Sequence, residues 1–102
     1  MITSMIEITS KQRKILEKLA HDLQPVVIVG GAGVTAGVLE MAKNSLTAHE
    51  LIKIKFNEYK DEKVELTNEL CNYCDANLVR IIGNIAILYR PSDNEENRKI
   101  II

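Results

Sequence analysis

The stretch PVVIVGGAGVTAG, Pro25 to Gly37, decides how this chain is read. VVIV (Val26 to Val29) is a short, continuous run of β-branched residues bounded by proline and glycine. That composition predicts a buried strand rather than a helix. A glycine cluster follows, and Thr35 is placed to cap a helix beyond it. A strand, a glycine loop and a helix start in succession present backbone N–H groups to phosphate.

Two patterns fit the same glycines. GAGVTA (Gly31 to Ala36) matches the G-x-G-x-x-G/A spacing of dinucleotide-binding folds. GGAG (Gly30 to Gly33) matches the GXXG loop with which KH-type domains clamp a nucleic-acid backbone. A tight strand-to-helix turn alone would need one glycine. Three within four residues leave the backbone bare and approachable, which favours a binding role.

The flanks argue against a dinucleotide. That fold begins at the strand before the glycines, whereas here a capped helix comes first. Thr9 and Gln12 have capping-box spacing, and Ile15, Leu16, Leu19, Ala20 and Leu23 form a helical apolar stripe. Lys11, Lys14, Lys18 and His21 form a second stripe, roughly opposite. Pro25 ends the helix. Glu58, the nearest candidate for a ribose acid, lies 27 residues beyond Gly31, further than the ~20 expected. A Walker A loop is excluded too, because no lysine lies between Val26 and Ala42.

Downstream, Thr35 opens a second helix with Val38, Leu39, Ala42 and Leu46 as its buried face. LIKIKFN alternates cleanly, Ile52, Ile54 and Phe56 on one side and Lys53 and Lys55 on the other. It predicts a strand with one buried and one wet or ligand-facing side. Lys60 to Asn77 reads as a third helix, with acidic residues in its first turn and an inner stripe of Val64, Thr67, Leu70, Cys71 and Cys74. LVRII and IAILYRP read as two strands joined by Gly83-Asn84, a strong hairpin signal. The order is αβαβαββ. It predicts an α/β (α+β) domain: a four-stranded mixed sheet with its helices packed over it. Residues Met1 to Ile8 form a partly apolar leader. Ser92 to Lys99 is polar and reads as loose, and nothing accounts for the final Ile100-Ile101-Ile102.

Composition narrows the function. With 102 residues, 46% hydrophobic and 26% charged, one soluble globular domain is expected. No apolar run approaches a membrane span, and no secretory signal is evident. Two cysteines without scaffold density favour a reducing, cytoplasmic compartment. Cys71 and Cys74 form a C-x-x-C, but late in a helix, where the dipole disfavours thiolate. Without further ligands at zinc spacing they read as two small buried residues. No catalytic set stands out, so no enzyme and no cofactor is expected. The net charge of −1 is low for a nucleic-acid binder, although Lys11, Arg13, Lys14 and Lys18 cluster and Asp93, Glu95 and Glu96 offset them from the tail. Arg80 and Arg90 would join a basic surface if the hairpin register allows it. Tyr89 would stack on a base, or pack at a sheet edge.

ITSKQRKILEKLAHDLQPVVIVGGAGVT, AHELIKIKF and IIGNIAILYRPS, taken in order, resemble the CRM domain family (chloroplast RNA splicing and ribosome maturation), and within it the short, single-domain YhbY type of bacteria. The resemblance runs from about Ile8 to Ser92. It implies a domain over residues 8–92, between a leader at 1–7 and a tail at 93–102. It implies structured RNA as the ligand, and for stand-alone bacterial members association with ribosomal RNA in large-subunit precursors during ribosome assembly. Carried onto this chain, the KH-like GxxG loop is Gly30-Gly31-Ala32-Gly33, followed by Thr35. Lys11, Arg13, Lys14 and Lys18 lie toward the loop's side, and Lys53 and Lys55 occupy the family's LIKIK strand. The family usually carries a basic residue where this chain has Gly31, so one charge-assisted phosphate contact is missing. The reading is a monomeric, non-enzymatic RNA-binding protein. A protein–protein adaptor on ribosomal particles, without direct RNA contact, is the alternative.

Overall fold

The computed structural model describes residues 8–102. The leader at residues 1–7 lies outside the described residues. Helix α1 spans Ser10–Ala20, β1 Val27–Val29, α2 Ala36–His49, β2 Leu51–Phe56, α3 Lys63–Cys74, β3 Asn77–Ile82 and β4 Ile85–Tyr89. The domain is α+β, and its element order is the one expected from the sequence. The sheet order is β1-β2-β4-β3, with β1 and β2 parallel and the other two pairings antiparallel.

Local chemistry sets the boundaries. The capping box at α1 is complete: Thr9 Oγ1 accepts from Gln12 N, and Gln12 Oε1 accepts from Thr9 N, both at 3.1 Å. Thr35 Oγ1 accepts from Val38 N at 3.1 Å and starts α2. The β3–β4 hairpin turns at Gly83, whose φ of +57° suits a residue without Cβ. The third helix is shorter than expected, because Lys60–Glu62 forms a separate 3-10 turn and Asp75, in left-handed conformation, ends α3.

Helices cover both faces of the sheet. On the inner face α2 and α3 pack over Val27, Val29, Ile52, Ile54, Phe56, Ala86 and Leu88. On the outer face α1 sets Leu16 and Ala20 against Leu51, Val79, Ile87 and Tyr89. The outer side of β2, expected to be wet, is therefore partly roofed: Leu51 is buried, and Lys55 remains exposed.

Four further expectations change. α1 does not cover the outer face of the sheet at β1, so Ile28 and the preceding Val26 are exposed while Val27 and Val29 are buried. Val64 is 56% exposed, because only the later turns of α3 reach the core. Tyr89 is 2% exposed and sits on a central strand, which rules out base stacking and an edge position alike. The tail is docked. Glu50 is buried, and its carboxylate accepts from the backbone N–H groups of Ser92 (2.7 Å), Lys99 (2.5 Å) and Ile100 (3.2 Å). Ile100 and Ile102 pack against the α1 cluster, which gives the closing apolar residues a role.

Candidate nucleic-acid interface

The glycine loop is a compact turn at the end of β1. Gly33 N donates to Gly30 O at 2.9 Å and Thr35 N to Gly33 O at 3.1 Å. Gly33 has φ +76°, which side chains other than glycine rarely adopt. Gly30 and Gly31 need no such freedom, and a Cβ on either would meet nothing within 4 Å. Their openness serves access to the backbone. The N–H groups of Gly31, Ala32 and Val34, and of Ala36 and Gly37 in the first turn of α2, have no acceptor among the described residues. The positive end of the α2 dipole adds to these donors.

The segment after β2 braces the loop. Asn57 N and Glu58 N both donate to Val29 O, at 3.0 and 3.3 Å. Tyr59 donates its hydroxyl to Gly31 O at 2.8 Å, and its ring lies against Gly33. A shallow groove of about 770 Å³ runs between loop and segment, lined by Gly31, Tyr59, Glu58, Asp61 and Glu62 among others. Three carboxylates and Lys60 thus stand on one flank of the donor cluster, net negative.

The basic residues divide into engaged and open groups. Lys53 Nζ donates to the carbonyls of His21 (3.2 Å) and Leu23 (3.0 Å) and so closes the C-terminal end of α1. Arg13 Nε donates to Val79 O at 2.7 Å, taking a carbonyl at the bulge in β3. Arg90 is spent on the inner side, donating to the carbonyls of Cys74 and Lys43 and to Thr47 Oγ1. Arg80 pairs with Glu17 at 3.3 Å. Lys11, Lys14, Lys18 and Lys55 are exposed and form no ion pair among the described residues. Helix α1 packs over the end of the sheet away from the glycine loop, as its contacts with Leu51 and Tyr89 require. Its lysines therefore do not adjoin the loop, and the open end of the outer sheet face lies between.

Sequence reasoning missed Tyr59 and the carboxylate flank. Tyr59 follows β2 with φ +56°, and nothing in local composition ties it to a loop 28 residues earlier. Cys71 and Cys74 are free and buried. Burial, with a smaller contribution from Cys74, pushes the Cys71 thiol up to about 11, against redox use. Among the described residues, no group of three or more His, Cys, Asp or Glu side chains is placed to hold a metal, and no helix is long and apolar enough to cross a membrane.

The chain has relatives in both sequence and fold. The family model of the CRS1 / YhbY (CRM) domain matches residues 8–90. An "RNA-binding protein" of Haemophilus influenzae is 42% identical over 90 residues, covering 87% of this chain and 91% of the relative. A "Probable RNA-binding protein" of Pseudomonas aeruginosa is 38% identical over 95 residues, covering 88% and 91%. Another so named, from Bacillus subtilis, is 33% identical over 94 residues, covering 91% and 96%. The solution structure of a Staphylococcus aureus protein, described as a candidate RNA-binding protein, superposes with a TM-score of 0.75 at 28% identity, over 93% of this chain and all of that one.

Proposed function

The chain belongs to the CRS1 / YhbY (CRM) domain family, and from that premise we propose that it is a non-enzymatic RNA-binding protein acting on ribosomal RNA in large-subunit precursors. The carrying observation is the set of unpartnered N–H groups at Gly31, Ala32, Val34, Ala36 and Gly37. Such donors converge on phosphate oxygens and need no charged side chain. Gly30 to Gly33 and Thr35 form the grip. Lys11, Lys14, Lys18 and Lys55 add sequence-independent attraction through counterion release. Arg13 and Lys53 contribute their charge while their donors hold the fold. The protein works as a cytoplasmic monomer, with residues 8–92 as its RNA-binding domain.

Relatives named as RNA-binding proteins support the ligand class. The ribosomal assignment follows the family resemblance. The test is sedimentation of lysates through sucrose gradients at low and high salt. Comigration with large-subunit particles at low salt, lost at high salt and in Gly31→Asp, is expected.

The carboxylate flank and the net charge of −1 favour a second reading, an adaptor that reaches ribosomal particles through protein contacts. Purified protein that fails to bind naked RNA at low salt, yet travels with the particles, selects the adaptor.

A further inference from the structure

The outer face of the sheet is not roofed at the end nearest the glycine loop. Strand register aligns Ile28, Lys55, Ile85 and Ile82 in one row across all four strands. Ile28 and Ile82 are 54% and 53% exposed, Lys55 is exposed, and Ile85 is partly exposed. This is the last outward-facing row before the glycine loop and the hairpin; at that end the last residue of β2, Phe56, donates its N–H to Asn84 O of the hairpin at 2.8 Å. At strand spacing the row is about 14 Å long. Behind it, Arg13, Lys14 and Arg80, with Glu17 paired to Arg80, line a shallow depression of net positive charge between α1 and β3.

The charge around the loop has a direction. On the groove side stand Glu58, Asp61 and Glu62 with Lys60 among them, a net negative flank that repels a polyanion. Toward the outer face stand Lys55 and the α1–β3 cations. A chain held by phosphate at the loop is therefore steered over the isoleucine row. Along its length a paired duplex offers that row sugars, phosphates and groove edges of bases, but no open base face. An unpaired nucleotide offers a flat base face that covers apolar side chains, while Lys55 meets its phosphate.

We infer that the Ile28–Lys55–Ile85–Ile82 row is a platform for a short run of unpaired nucleotides flanking the phosphates held at the glycine loop. This rests on the RNA-binding reading above. It adds that the protein selects unpaired over fully paired RNA, by apolar contact instead of aromatic stacking.

The test compares a fluorescein-labelled RNA hairpin with an unpaired loop and a blunt duplex of the same stem, by anisotropy at fixed salt. Wild type binds the looped RNA more tightly. Ile28→Ser and Ile82→Ser, which remove the apolar contact without adding charge, each lower looped-RNA affinity about tenfold, the size expected for one apolar contact, and leave duplex affinity unchanged. Lys55→Gln lowers the salt dependence for looped RNA, and Gly31→Asp weakens both ligands. Both isoleucines are exposed, and an unchanged melting temperature certifies each variant.

Equal affinity of wild type for the two RNAs overturns the platform, as does wild-type behaviour of both isoleucine variants. Loss in the isoleucine variants with Gly31→Asp unaffected supports the platform and overturns the loop grip alone. A concentration-dependent dimer in sedimentation velocity, abolished by Ile28→Ser, overturns the platform by showing that the strip pairs with a second copy.

Discussion

The hydroxyl of Tyr59 donates to the carbonyl oxygen of Gly31 at 2.8 Å, and its ring lies 3.5 Å from where a Cβ on Gly33 would stand. One side chain thus ties down the Gly31 carbonyl and fills the space beside Gly33. Tyr59→Phe keeps the ring and removes the hydrogen bond. The expected outcome is a loss of about 0.5–1.5 kcal/mol in stability at most, with a several-fold loss in RNA affinity as the donors lose their alignment. Chemical denaturation and anisotropy on the same variant measure the two effects.

Glu50 anchors the C-terminal segment through three backbone N–H groups. Its carboxylate is buried, so its removal leaves those donors to find water or nothing. Glu50→Ala is expected to cost about 2–3 kcal/mol and to release Lys99 from Ala48 O in α2 and Ile100 and Ile102 from the α1 cluster. Limited trypsin digestion reports the release, as faster cleavage after Arg98 and Lys99 than in wild type.

Burial raises the Cys71 thiol from 9.0 to about 11 and raises Cys74 as well. The folded state therefore keeps these protons where the unfolded chain loses them. Stability is fully present below the unfolded value and falls as pH rises from about 9 toward 11, by about 2–3 kcal/mol for Cys71. Denaturation across that window is expected to be flatter in Cys71→Ala than in wild type. At neutral pH neither cysteine is expected to react with a thiol reagent until denaturant is added.

Several elements were legible because their determinants are local. Thr9 with Gln12, Thr35 with Val38, and Gly83 at the hairpin each act within a few residues, and the structure places all three as the sequence implies. What was not legible depends on pairing distant in the chain. Lys53 looked like an open cation until α1 crossed the sheet and set two carbonyls beside it. Tyr89 looked available until β4 took a central place in the sheet order. Alternation showed that β2 has two faces, but not that α1 covers only one end of the outer one. In the candidate site, the glycine loop was read from its own residues. Its Tyr59 brace and acidic flank required the fold.

The central claim is that bare backbone donors at the glycine loop hold RNA phosphate, and position 31 tests it most directly. Space at Gly31 is open and its φ is ordinary, so Gly31→Asp and Gly31→Lys are expected to fold alike. The measurement is RNA affinity of wild type and both variants over a salt series. The account predicts that Gly31→Asp loses about tenfold or more, and that Gly31→Lys gains affinity with a salt slope steeper by about 0.7, the value for one added phosphate contact on a single strand. Identical affinities and slopes for all three proteins would contradict it.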